Sequence, residues 1–233
     1  MSSAKSTSAN EERPAQERPN LERPHPAGGA QASSLQSHQK APARMPGEPQ
    51  AGMPALQVTR TYLEMRDRSE LRGAKLDDPL IRIVEQCDCP IELFRFLYVE
   101  VGKNYHWVDR LPWTDEQITD YLTQPEISLW LMTYADETAG YFELRKCEDG
   151  STEIAYFGLI GNFIGRGLGK HLLTCAVEQA WADGTNCVWL HTCTLDDAAS
   201  MPNYLKRGFR PFKTENYEVA IESQAAQQHG SPP

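Results

Sequence analysis

The chain has 233 residues, with 23 Lys and Arg against 32 Asp and Glu, and a formal charge of −9 at neutral pH. An acidic surface repels nucleic acid and anionic membrane, which argues against both as partners and favours cationic small molecules or basic peptides. No targeting segment follows Met1 and no run approaches the ~18 apolar residues of a membrane span, so a soluble cytoplasmic protein is expected.

Residues 1–55 hold half of the 16 prolines and repeat Glu-Arg-Pro from Glu12, Glu17 and Glu22. Such a stretch cannot bury enough apolar surface to offset the entropy of ordering it, so a disordered low-complexity tail is expected. Residues 222–233 read as a flexible tail of the same kind, which leaves 56–221 as a single domain. With six basic and five acidic residues up to position 55, the rest of the chain carries −10.

Within the domain, Gln57–Met65 alternates in part and reads as an opening strand, and Leu80–Val84 as a second. Ile91, Phe94, Leu97, Tyr98 and Val101 recur at helical spacing after Pro90, and Gly102 ends that helix. Asn104–Trp113 follows no period and reads as a loop. Thr114-Asp115-Glu116-Gln117 is a capping-box signature for a helix running to about Leu122. Ile127–Ala135, Ala139–Arg145 and Thr152–Ile160 read as a three-strand meander with polar turns. Leu168, Leu172, Cys175, Ala176, Gln179 and Ala180 then make a helical stripe closed by Gly184. Cys187–Cys193 reads as a buried strand, Ala198–Lys206 as a short helix before Gly208, and Arg210–Val219 as the last strand. This order predicts an α/β fold with a mixed sheet. Six scattered cysteines read as buried, reduced thiols: Cys87 and Cys89 are too close for a zinc knuckle, and no metal is expected.

The segment Gly161-Asn162-Phe163-Ile164-Gly165-Arg166-Gly167-Leu168-Gly169-Lys170 joins a strand to a helix. The first N–H groups of a helix lack intrahelical partners and carry the positive end of its dipole, and glycines let an anion approach them. Arg166 adds a permanent charge. A Walker loop is excluded, since Gly165 and Gly169 have three residues between them rather than four and His171 follows Lys170. A dinucleotide fingerprint is excluded by Gly-x-Gly-x-Gly in place of Gly-x-Gly-x-x-Gly and by the preceding meander. An acyl-CoA loop of the form Gln/Arg-x-x-Gly-x-Gly/Ala fits, with Gly167 and Gly169 at its small positions.

With that loop and the later Tyr204-Leu205-Lys206-Arg207-Gly208-Phe209, the chain resembles the GNAT superfamily of N-acetyltransferases from about Val58 to Val219. Leu190–Asp196 and Arg207–Pro211 look like a bacterial branch of it. The resemblance implies a mostly antiparallel mixed sheet flanked by about four helices, with acetyl-CoA as co-substrate. It departs from the family pattern at Ile164, usually Gln or Arg, and at Asp197, commonly Asn. The implied cofactor-binding residues are Ile164, Gly165, Arg166, Gly167, Leu168, Gly169 and Lys170 for the pyrophosphate, and Phe157, Gly158 and Leu159 for the pantetheine arm, on a strand that splays from its neighbour. Asp197 is a further possible pantetheine contact. Gly158 weakens a strand, and close cofactor approach would explain it.

Tyr204 matches the tyrosine that protonates the departing thiolate. Glu153 is the first candidate for the catalytic base, with Glu143 as its rival or as a substrate contact. The resemblance places the acceptor loop at His106, Trp107, Asp109, Arg110 and Trp113, where a packed structural loop is an equal reading. His191 reads more readily as a core histidine than as a base, and direct attack is preferred to a covalent route through Cys193. The expected activity is acetyl transfer to a small or peptide primary amine by a monomer or homodimer. A non-catalytic acyl-CoA sensor or interaction module is the alternative.

Overall fold

The structure, a computed structural model, describes residues 55–220; apart from Ala55, the tails expected over 1–55 and 222–233 lie outside the described residues. Seven strands form one sheet in the order β2-β3-β4-β5-β6-β1-β7. They are β1 (Ala55–Met65), β2 (Ile81–Glu85), β3 (Ile127–Tyr134), β4 (Glu137–Lys146), β5 (Thr152–Leu159), β6 (Val188–Cys193) and β7 (Arg210–Ala220). All neighbours run antiparallel except β5 and β6. The meander therefore has four strands, since β2 pairs with β3 across two intervening helices. The opening strand does not stand at the head of the sheet: β1 lies between β6 and β7 and pairs with both. No helix among the described residues is long and apolar enough to cross a membrane.

Helices cover the sheet on two sides. α3 (Leu168–Ala182) and α4 (Ser200–Arg207) share a core with Leu63, Met65, Phe142, Leu144, Ile154, Val188 and Leu190. Leu172, Leu173, Ala176 and Val177 of α3 are fully buried there, and each large aliphatic side chain so buried contributes about 1.5–3 kcal/mol. α1 (Ile91–Gly102) and α2 (Asp115–Leu122) pack through Phe94, Leu97, Val101 and Ile118 on Leu129 and Tyr141. Tyr141 and Phe142 alternate along β4, so the two cores lie on opposite faces. The capping box at Thr114 is formed in both directions: Gln117 N–H donates to Thr114 Oγ1 at 3.2 Å and Thr114 N–H to the Gln117 side chain at 2.9 Å.

The register between β4 and β5 shifts where Glu143 faces Tyr156 and Leu144 faces Ile154, which leaves Ala155 as an extra residue. Two residues three apart on a regular strand point to opposite faces. The bulge brings Glu153 and Tyr156 onto the same face, the one that carries Glu143. The cysteines depart from expectation: all six are free, but Cys87 is exposed and the other five are only half-buried, because they fall at element ends and on partly covered positions.

Gly208 closes α4 at φ 105°, and a Cβ there would fall on the carbonyl of Glu70. The segment after β1 is held to this corner by Arg72 N–H donating to the Arg207 carbonyl at 3.0 Å. Gly208→Ala is expected to cost at least ~2 kcal/mol, since both backbone angle and space are wrong for a side chain. Urea unfolding checks this; a midpoint unchanged from wild type would show that the corner yields.

Candidate active site

After β5 the chain makes a short 3-10 turn, Gly161–Phe163, pinned by the buried Phe163 ring, which packs 6.3 Å from Tyr134. Ile164 then runs extended and exposed, so it projects an apolar side chain into solvent. Gly165 (φ 83°) and Gly167 (φ 78°) are both left-handed. Gly167 caps α3 with no side-chain hydrogen bond, and a Cβ at Gly165 would meet nothing. Among the described residues no backbone carbonyl outside the helix accepts from the first N–H groups of α3. Among the described residues neither Arg166 nor Lys170 forms an ion pair, although Arg166 lies 5.2 Å over the Phe163 ring.

One flank of this turn is a strap that the sequence did not disclose. Leu76 N–H donates to His171 Nδ1 at 2.8 Å and Ala74 N–H to Thr174 Oγ1 at 3.0 Å, which lays the strap along α3. Burial, with Lys75 nearby, lowers the pKa of His171 and favours the neutral ring that can accept this bond.

β5 and β6 pair only at Thr152 with Val188 and Glu153 with Trp189. Beyond Glu153 they have no ladder between them, while β5 stays paired with β4 as far as Leu159. The β5 backbone around Phe157, Gly158 and Leu159 therefore turns one edge of polar groups toward a cleft. Two features test whether an acyl-CoA suits these residues: an amide-bearing arm has unpaired backbone to bond in the cleft, and a pyrophosphate has helix N–H groups and two free cations at its mouth. Both fit. Gly158 has another cause, however. A Cβ there would fall inside the Val101 side chain of α1, so helix packing requires the glycine.

Glu153 stands where the strands part, on the face opposite α3. It is 4% exposed, not the solvent-facing residue that simple alternation allows. One carboxylate oxygen accepts from Arg145, and the other lies 4.0 Å from His191 Nε2. Burial raises the Glu153 pKa against the opposing pull of Arg145. His191 is not a core residue; its side chain is 36% exposed on this face and otherwise covered, edge-on to Tyr62 at 5.7 Å. That partial desolvation, then Arg60 and Arg145, lower its pKa. A neutral imidazole thus borders a buried carboxylate. Cys193 lies two residues further along β6, and burial raises its thiol pKa, which disfavours a thiolate nucleophile.

Tyr204 is buried on α4, between Phe157 at 6.3 Å and Phe209 at 6.2 Å, and burial holds its phenol protonated. Asp197 caps the approach to α4 by accepting from Ala199 N–H at 2.8 Å, and takes a bond from Tyr105 at 3.2 Å.

The loop between α1 and α2 is organised by Arg110. Its guanidinium donates to both oxygens of Glu143 at 2.7 and 2.8 Å, and Tyr121 also bonds Glu143. Four rings surround the cation, with Tyr156 at 3.9 Å, Tyr121 at 4.4 Å, Trp113 at 4.9 Å and Phe94 at 5.3 Å. Trp107 packs on Tyr98 and Tyr156. His106 and Asp109 are exposed. The six acceptor-site candidates are therefore divided: Arg110 is buried, with Trp113 and Glu143 serving it, Trp107 serves the α1 core, and His106 and Asp109 face solvent. Among the described residues no group of three or more His, Cys, Asp or Glu side chains is arranged to hold a metal ion.

A profile of the Acetyltransferase (GNAT) family matches residues 93–209, from α1 through the Tyr204 segment. The chain belongs to the GNAT acetyltransferase family. Solved structures share this GNAT fold. A GCN5-related N-acetyltransferase from Kribbella flavida has a TM-score of 0.53 at 18% identity, over 74% of this chain and 62% of that one. A Drosophila protein has a TM-score of 0.52 at 9% identity, over 73% of this chain and 53% of that one. The chain thus spans less than two thirds of the length of either. No curated protein sequence matches it.

Proposed function

We propose that the chain transfers an acetyl group from acetyl-CoA to a primary amine by direct attack in a ternary complex. The parting of β5 from β6 immediately beyond the buried carboxylate of Glu153 carries this reading. When bound there, acetyl-CoA supplies the thioester carbonyl as electrophile and a thiol as leaving group. In this reading the N–H groups from Gly165 to Lys170 hold the pyrophosphate, with Arg166 and Lys170 adding charge where Ile164 adds none. The backbone of Phe157, Gly158 and Leu159 holds the arm, and Asp197 steadies the turn before α4.

Glu153 takes the ammonium proton of the acceptor, with the neutral His191 ring 4.0 Å away adding no competing positive charge. Tyr204, kept protonated, donates to the departing thiolate. The protonated state of Cys193 supports direct attack over a covalent enzyme intermediate. Glu143, with both oxygens engaged, orders the α1–α2 loop instead of acting as base. The exposed His106 and Asp109 are left to frame the acceptor's approach.

The decisive experiment pairs calorimetry of CoA binding with a thiol-release assay over a panel of amines. Micromolar binding with amine-dependent release is expected. Binding without release above hydrolysis, for every amine, would instead identify a non-catalytic acyl-CoA-binding module. Tyr204→Phe is expected to lower kcat about 100-fold, the low end of the range for a general acid, with CoA affinity unchanged. Unaltered kcat in steady-state assays would reduce Tyr204 to a packing residue.

A further inference from the structure

The half of the sheet formed by β6, β1 and β7 carries a second charged group that the reading above does not use. Arg60, on β1, stands directly opposite Cys193 on β6 and Glu215 on β7. It shares its face with Tyr62 and His191, which pair in the same register. Its guanidinium donates one hydrogen bond, to Tyr217 Oη at 3.3 Å, and lies 5.0 Å over that ring. Its Nε is buried without a hydrogen-bond partner. Among the described residues no carboxylate forms an ion pair with it. The nearest candidate by register, Glu215, is taken by Tyr62 at 2.8 Å and Lys213 at 2.6 Å. A guanidinium held in a fixed pose by an aromatic ring, with donors to spare, is suited to a planar anion.

We propose that Arg60 anchors a carboxylate of the acceptor, so that the substrate class is an amino acid or another amino-carboxylate rather than a bare amine. This rests on the acetyltransferase reading and deepens it. The register sets the order along this face. Glu153 lies level with Trp189 on β6, and Arg60 level with Cys193, with His191 and Tyr62 between them. The backbones of Glu153 and Arg60 are therefore two strands apart, about 10 Å, and four residues apart along β6, about 13 Å. His191 Nε2 lies 4.0 Å from the Glu153 carboxylate, so the imidazole occupies part of the space between the two charged groups. In this proposal an amino-carboxylate lies over His191 and Tyr62, with its ammonium toward Glu153 and its carboxylate toward Arg60. The domain's net negative charge makes the anchor necessary: a carboxylate approaching this surface is repelled unless a dedicated cation receives it.

The test uses the full chain and matched acceptor pairs that differ only in the carboxylate, such as phenylalanine with phenethylamine and lysine with cadaverine, each with acetyl-CoA. Wild type is expected to favour the amino acid of each pair by about 10- to 100-fold in kcat/KM, the range of a charge-assisted hydrogen-bonded pair. Arg60→Gln should abolish that preference by lowering turnover of the amino acid at least ~10-fold more than turnover of the carboxylate-free amine, and Arg60→Lys should restore part of it. Equal or better turnover of the bare amines by wild type overturns the proposal and leaves the acetyltransferase intact. So does an Arg60→Gln variant that loses both substrates equally, which would give Arg60 a role toward the reacting carbonyl. No turnover of any acceptor overturns both readings. The wild-type comparison needs no variant, so misfolding of Arg60→Gln does not remove the test.

Discussion

Arg110→Ala is expected to lower the free energy of unfolding by about 3–5 kcal/mol, which for a domain of this size is a fall of roughly 6–20 °C in Tm. The pair it breaks is buried at both ends, with the Arg110 side chain 6% and the Glu143 side chain 0% exposed. Removal of the guanidinium leaves a carboxylate without its counter-charge in the sheet, and four aromatic rings lose the cation between them. The cost is that of an orphaned charge, not the net worth of the pair. Replacing both partners at once, Arg110→Met with Glu143→Leu, should recover much of the loss, because apolar groups of similar volume need no compensation. Thermal and urea unfolding of the single and double variants measure this. A single variant within 1 kcal/mol of wild type would mean that water reaches Glu143 and that the pair is not sealed.

The second large effect is on catalysis. Glu153→Gln keeps the shape and the contact with Arg145 but removes the proposed proton acceptor, and on that proposal kcat should fall by about 10²–10⁴. Affinity for CoA should be unchanged, since the pyrophosphate turn and the cleft backbone are untouched. The pH profile gives an independent readout. Burial raises the Glu153 pKa, and the base works only when ionised. Wild-type kcat/KM is therefore expected to be full above that raised pKa and to fall as pH drops through it. The residual activity of Glu153→Gln should lack that acid limb. A kcat within threefold of wild type, with the acid limb retained, would leave Glu153 as a structural partner of Arg145 and pass the base role to His191.

What was legible in the sequence is what neighbouring residues decide among themselves. The capping box at Thr114 and the stripe of α3 are local patterns, and both form as expected. The left-handed glycines at 165 and 167 belong to the same class, since the turn's geometry lies within a few residues. Illegible were the facts that depend on which distant segments meet. Nothing in Ala55–Met65 says that its partners are residues 188–193 and 210–220, so Arg60 could not be placed beside His191. Glu143 read as a free carboxylate because its partner lies 33 positions away in a loop without periodicity. His191 read as core because β6 is rich in apolar residues, yet alternation puts Val188, Leu190 and Thr192 on the buried side and leaves His191 on the other. The bulge at Ala155 hid the common face of Glu153 and Tyr156, since a single inserted residue inverts every inference drawn from alternation.

The position of β1 has a consequence for how this molecule is made. It is the first strand of the described domain to leave the ribosome, and its two pairing edges match segments among the last to be synthesised. Through most of translation it carries two unsatisfied edges, and it can be seated only when β7 has emerged to close the sheet over it. Folding of this half is therefore a late event with costly loop closure, and a nascent chain that stops before residue 210 lacks the strand needed to complete the wall on which Arg60 stands.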